Sequence, residues 1–248
     1  MKTTILRFLK HLYKNIKLLY KIEYRKQMDM PSYLHQVLIG LLLSDGSIEK
    51  SSETSLARLN VMFGWLHIPY LFHLYNLFEP YTDSDIRIIA TYNKKTNTEH
   101  NQVAFKTVSL PIFLKYHKMF YVFDDKSKRY IKIVPHNIEE HMTPVVLAHL
   151  IMGDGNLKPK DNIIRIYTNS FTKKDVELLS TSINNKLGII TKVTYDRNNQ
   201  YILTISKNQL ETVKTMILPY MHKSMLYKLD LNSDNNNCFK LENHLEDI

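Results

Sequence analysis

The chain has 248 residues, long enough for one large domain or two modest ones, each with a core of its own. An apolar fraction of 44% with 23% charged residues suits a soluble globular protein, no apolar run reaches the roughly 20 residues that span a bilayer, and a single cysteine, Cys238, excludes a disulfide framework or thiolate metal cluster. The 33 Lys and Arg against 24 Asp and Glu leave a net charge of +9, which favours a polyanionic partner such as nucleic acid.

The first 22 residues carry six Lys or Arg and no acid, with Ile5, Phe8, Leu9, Leu12, Ile16 and Leu19 at near-helical spacing. Residues 1–30 are thus expected to form a basic helical extension. An organelle-targeting leader, an arm lying along phosphate and a plain surface helix all fit it. Richness in Lys, Asn, Ile and Tyr with only 6 Gly points to an AT-rich coding genome and so to an organelle.

From residue 31 the chain reads as a repeat. An apolar helix runs from Pro31 to an Asp45-Gly46 stop, and a second from Pro144 to Asp154-Gly155, with Thr143 as its N-cap. Asp154 follows Asp45 by 109 positions. After each stop comes an alternating strand: Leu56 to Phe63 sets Leu59, Val61 and Phe63 against Arg58, Asn60 and Met62, and Ile163 to Ser170 sets Ile164 and Ile166 against Arg165 and Tyr167. Helices follow at Pro69 to Phe78 and Lys173 to Leu187, the latter opened by a Thr172/Asp175 capping box. Strand pairs come next, Asp85 to Tyr92 with His100 to Val108 and Ile190 to Asp196 with Gln200 to Ser206, joined by hairpin loops at Asn93 to Asn101 and Arg197 to Asn199. A helix closes each half, Pro111 to Tyr121 and Asn208 to Met221. The order is αββαββα, twice, in halves at 31–141 and 142–231, with a polar tail at 232–248.

Both opening helices are apolar nearly all round and need burial on more than one side. Packing them against each other at the centre satisfies this and brings Asp45 and Asp154 together at their C-terminal ends. There the helix dipole repels a carboxylate, and a divalent cation is the natural counter-charge.

Leu38-Ile-Gly-Leu-Leu-Leu-Ser-Asp-Gly46 and Leu147-Ala-His-Leu-Ile-Met-Gly-Asp-Gly155 resemble the LAGLIDADG motif. Two copies in one chain resemble the monomeric, two-motif class of these homing endonucleases, over about residues 31 to 231. The fold this implies is α+β: two pseudo-two-fold-related halves forming a saddle of antiparallel sheets, with the motif helices at the centre. The resemblance further implies that Asp45 and Asp154 ligate catalytic metal, Mg²⁺ by ligand hardness with Mn²⁺ able to substitute. It implies too that a lysine late in each half, Lys132 and Lys228, acts near the scissile phosphate. Arg58, Asn60, Arg165, Tyr167 and Lys192, on the polar strand faces, are then expected in the DNA major groove.

Two departures stand out. Leu43 and Met152 occupy a position often acidic, and His149 replaces the glycine kept as Gly40, which is expected to make the helix packing asymmetric. His136, Asn137 and His141 lack the ββα setting of a His-Asn-His nuclease and are read as incidental. Trp65 is read as core or rim packing.

The implied activity is metal-dependent hydrolysis of one phosphodiester per strand of a long, asymmetric double-stranded DNA site, by a monomer with no membrane segment, in an organelle by composition and family habit, a mitochondrion rather than a chloroplast. The alternative is a maturase that binds group I intron RNA and assists splicing, alone or alongside cleavage. The three alternatives for residues 1–30 stay open.

Overall fold

The computed structural model describes residues 23–93, 98–196 and 200–231. The basic segment 1–22, the loop residues 94–97 and 197–199 and the tail 232–248 lie outside the described residues.

The motif helices are α1 (Ser32–Leu42) and α5 (Pro144–Asp154), and they pack on each other at the centre of the molecule. Every residue from Val37 to Leu42 and from Val145 to Met152 is buried, as helices without a polar face require. Thr143 caps α5 by accepting a hydrogen bond from the Val146 amide.

A four-stranded antiparallel sheet follows each motif helix. The first contains β1 (Gly46–Lys50), β2 (Ala57–Gly64), β3 (Arg87–Asn93) and β4 (Thr98–Lys106) in the order β1-β2-β4-β3. The second contains β7 (Gly155–Lys158), β8 (Ile163–Ile166), β9 (Thr191–Asp196) and β10 (Gln200–Ile205) in the same order, β7-β8-β10-β9. Helices α2 (Ile68–Phe78) and α3 (Pro111–Phe120) belong to the first half, α6 (Lys173–Leu187) and α7 (Leu210–Ile217) to the second. The Thr172/Asp175 capping box is formed at the start of α6. The fold is the expected α+β pair of repeats, one continuous apolar core running through both.

Several boundaries differ from the sequence reading, each for a local reason. Helix α1 stops at Leu42, not at Asp45: the Ser44 hydroxyl donates to the Gly40 carbonyl at 3.0 Å, and the Ser44 amide bonds Leu41 at 3.0 Å, which tightens the last turn. Strand β8 stops at Ile166, not at Ser170, because the Tyr167 amide leaves the ladder for the Asp154 carbonyl at 2.9 Å. The final helix is broken into 3₁₀ turns at both ends of α7, the second at Leu218–Tyr220, where Pro219 has no amide to donate. Helix α3 ends one residue early, at Phe120.

Between the halves lie elements the sequence did not predict: a hairpin of β5 (Tyr121–Asp124) and β6 (Arg129–Lys132), then a short helix α4 (Ile138–His141). After α7 a 3₁₀ segment, Lys223–Leu229, ends the described fold. The hairpin and this segment each end beside a lysine, Lys132 and Lys228. No helix among the described residues is long and apolar enough to cross a membrane.

Trp65 is 46% exposed, so it belongs to the rim and not the core. His141 has a structural partner: its Nδ1 lies 3.1 Å from His35 Nε2, while His35 Nδ1 meets the Tyr116 hydroxyl at 2.7 Å. Asn137 adds a contact to His141 Nε2 at 3.3 Å. These residues tie the N-terminal end of α1 to the segment between the halves.

Candidate active site

The two motif helices approach closely at two levels, and a glycine makes each approach possible. At the first, a β-carbon on Gly40 would lie 2.6 Å from His149 Cβ and 2.8 Å from the Val146 carbonyl oxygen. At the second, a β-carbon on Gly153 would lie 2.5 Å from Ser44 Oγ and 3.0 Å from Asp45 Oδ2. One helix contributes the glycine at the upper level and the other at the lower.

His149 makes the upper level asymmetric as expected, but it does not hold the helices apart. Its imidazole turns away from α1 toward α2, where Nδ1 meets the Tyr70 hydroxyl at 2.7 Å. The side chain is fully buried, which drives its pKa down to about 3 and keeps it neutral, and Nε2 has no hydrogen-bond partner among the described residues. Leu43 and Met152 are both buried; Met152 Sδ accepts the His222 amide at 3.2 Å.

At the lower level four charged side chains gather. Asp45 sits in the turn after α1 and Asp154 ends α5. Lys132 Nζ donates to the carbonyls of Ser44 at 2.9 Å and Gly46 at 2.8 Å, the residues flanking Asp45. Lys228 Nζ donates to the carbonyl of Gly153 at 2.9 Å, the residue before Asp154. Each lysine thus binds backbone carbonyl oxygen beside the negative end of a motif helix and offsets its charge.

Burial dominates the electrostatics. It raises the pKa of Asp45, with Lys228 and then Lys132 pulling the other way. Burial and the like charge of Asp45 push Asp154 up to about 7, against the two lysines. The same burial lowers Lys132 to about 8 and lowers Lys228, opposed in both by the two aspartates. Asp154 and the two lysines are half-buried while Asp45 stays exposed to the cleft, and the raised acids lack enough positive charge.

That environment fits a divalent cation with hard oxygen donors. Among the described residues no group of three His, Cys, Asp or Glu gathers to form a metal cage. Two carboxylates that leave the remaining positions to water and substrate phosphate are the donor set that Mg²⁺ accepts most readily. The cleft above them is lined by Asp45, Ser47, Asn60, His67, Gly153 and Met225.

The five residues expected on the polar faces are distributed as follows. Arg58 and Asn60 point from the face of β2 opposite buried Leu59, Val61 and Phe63. Asn60 lies in a cross-strand row Ser47–Asn60–Lys106. Arg58 is held by Glu49, 3.0 Å away, which also binds Lys106 at 2.8 Å. In the second sheet the register aligns Asn156, Arg165, Thr204 and Lys192 across all four strands. Tyr167 lies just past β8, its amide on the Asp154 carbonyl, and so stands nearer the acids than the strand reading put it.

The sequence reading missed Ser44 and Gly153, which set the acids' spacing, and His67, which shares their cleft. Lys106, Asn156 and Thr204 were legible in principle, because alternation places them on the same faces as the residues that were chosen.

The model of the LAGLIDADG DNA endonuclease family matches residues 35–213. DNA endonuclease I-ChuI of Chlamydomonas applanata is 26% identical over 210 residues, 82% of this chain and 96% of that protein. Cytochrome b mRNA maturase bI2 of Saccharomyces cerevisiae is 27% identical over 197 residues, 78% of this chain but only 46% of the maturase, so this chain spans less than half of that relative. Among solved structures, homing endonuclease I-WcaI bound to its DNA recognition sequence superposes with a TM-score of 0.74, covering 85% of this chain and 92% of that one at 24% identity, a likeness of fold.

Proposed function

The chain belongs to the LAGLIDADG DNA endonuclease family, and from that premise we propose that it is a site-specific homing endonuclease acting on double-stranded DNA with a divalent metal. The observation that carries this reading is the convergence of Asp45, Asp154, Lys132 and Lys228 at the base of the central helix pair.

In the proposed mechanism Asp45 and Asp154 hold the cation, Mg²⁺ with Mn²⁺ able to replace it. When bound, that ion supplies Lewis acidity at the scissile phosphate and neutralises the charge that builds on it. The aspartates are the anionic donors: Asp154 is half-buried and Asp45 opens to the cleft. Lys132 and Lys228, fixed by the carbonyls they bind, point positive charge at the reacting phosphate of one strand each. Lys132, lowered to about 8, also lies within reach of exchanging a proton near neutral pH.

Arg58, Asn60, Arg165, Tyr167 and Lys192 contact base edges or backbone along the groove. The two faces carry different side chains, so the proposed target is long and not palindromic. The pseudo-dimer supplies both half-sites from one chain, which supports a monomer; a stable dimer in sedimentation would contradict it. A mitochondrial setting is supported by the cytochrome b maturase relatives, and the algal endonuclease keeps the chloroplast in view.

The test is digestion of a host-derived or randomised DNA library by purified protein with Mg²⁺ and with EDTA. Metal-dependent double-strand cuts at one long asymmetric sequence are expected; binding without cleavage under any divalent ion would sink the reading. A second reading, an intron maturase, is supported by the likeness to bI2 proteins. RNA binding does not require the two acids and two lysines, so their retention favours the enzyme. Splicing of the parent intron with and without protein separates the two, and an unchanged rate would remove the maturase.

A further inference from the structure

The two reaction centres differ in one group that the repeat does not reproduce. His67 stands at the N-cap of α2 and lines the cleft that holds Asp45 and Gly153. Its neighbour across the interface is the Lys228 segment: the His67 ring lies parallel to that of Tyr227, centroids 6.2 Å apart at 3°. Burial and then the Lys228 charge both lower its pKa below 6.5. Beside the other lysine stands Phe171, whose ring centroid is 6.0 Å from Lys132 Nζ. In the chain Phe171 comes one residue before the N-cap Thr172 of α6, the helix that corresponds to α2, and Thr172 itself, at the position of His67, is engaged in the capping box.

The imidazole is held by its faces and its edge, not by its nitrogens. Tyr227 stacks on it and Phe63 meets it edge-on, centroids 6.2 Å apart at 78°. Among the described residues neither ring nitrogen has a hydrogen-bond partner. A half-buried, neutral ring therefore keeps one donor and one acceptor for the cleft. In a cleft lined by one carboxylate, with the Lys228 charge close by and already bound to the backbone, the N–H suits an anionic phosphate oxygen.

We propose that His67 hydrogen-bonds the DNA phosphate at the reaction centre containing Lys228 and that, with Phe171 in its place at the centre containing Lys132, the two strands are cut at unequal rates. The inference rests on the endonuclease reading. It makes the enzyme pass through a nicked intermediate whose open strand is always the same.

The experiment uses the full chain and its target on a supercoiled plasmid and as a duplex labelled differently on each strand, under single-turnover conditions with Mg²⁺. Compared with wild type, His67→Phe, which copies the other centre, is expected to slow one strand by about ten- to a hundredfold, the worth of one hydrogen bond to a charged group, and to leave the other near its original rate. Because the two centres are then alike, nicked plasmid should build up less than with wild type. His67→Gln, which keeps an N–H donor, should recover part of the lost rate. Equal slowing of both strands, or of neither, would overturn the role of His67, and so would an equal loss traced to a lowered melting temperature. A wild-type protein that cuts neither strand would overturn the endonuclease reading itself and His67 with it.

Discussion

The Asp45 carboxylate rests against Gly153, so near that a β-carbon at position 153 would sit 3.0 Å from Oδ2. The acid of the first motif is thus positioned by the backbone of the second, and each half is incomplete without the other.

Gly153→Ala follows directly. The added carbon meets Ser44 Oγ and Cβ at 2.5 and 2.6 Å as well as Asp45, so the turn carrying Asp45 must shift. A misplacement on the order of 1 Å costs about a hundredfold in rate. Cleavage should fall by about that factor while DNA binding, measured by gel shift without metal, changes little; unchanged cleavage would show that the turn has room to spare.

Gly40→Ala acts on the upper level, where the obstacles are His149 Cβ and the Val146 carbonyl, neither of which is the end of a flexible chain. The helices must part, at a cost of about 1–3 kcal/mol. Urea denaturation checks this. Gly64→Ala is the control, since a β-carbon there meets nothing within 4 Å and its φ of −63° suits any residue; equal losses in the two variants would refute the packing argument.

Tyr70→Phe tests the cross-half hydrogen bond to His149. Deleting the hydroxyl leaves Nδ1, like Nε2, buried without a partner, which should destabilise the protein by about 1–3 kcal/mol. The loss should be the same at pH 6 and pH 8, because His149 stays neutral across that range with a pKa near 3. A loss that grows on acidification through pH 6 would mean that His149 is charged there.

Metal-free stability should depend on pH through Asp154. Burial first, then Asp45, raises its pKa from 3.8 to about 7 on folding. Between those values the folded chain holds a proton that the unfolded chain has released, so this group's contribution to stability falls as pH rises from about 4 to about 7 and is level above. Asp154→Asn should flatten that part of the profile and raise the melting temperature in EDTA at pH 8. Saturating Mg²⁺ should flatten it too, by compensating the ionised pair. An Asn variant with the wild-type slope in EDTA would contradict the assignment.

Much of this was legible in the sequence because it rests on local chemistry. The recurring apolar run into Asp-Gly, the alternation of Leu59, Val61 and Phe63 against Arg58 and Asn60, and the Thr172/Asp175 box each depend on neighbours in the chain. The β5–β6 hairpin was not legible. Its strands are four residues long and expose Val122 and Ile131, so they lack the alternation that marks a half-buried strand. Lys132 could be picked by its place before the second motif, but its bonds to the carbonyls flanking Asp45 arise only when that hairpin folds back. His67, in Gly-Trp-Leu-His-Ile-Pro, reads as a turn, and its place in the cleft depends on the 3₁₀ segment of the other half.

The central claim is that Asp45 and Asp154 act together in the metal-dependent cleavage of both strands. The most direct measurement is cleavage of the cloned target in Mg²⁺ by Asp45→Asn and Asp154→Asn, alongside their affinity for the same DNA. The account predicts that either substitution abolishes double-strand cleavage while both variants bind the target at least as tightly as wild type, since each removes negative charge facing phosphate. Full cleavage by either variant would contradict it.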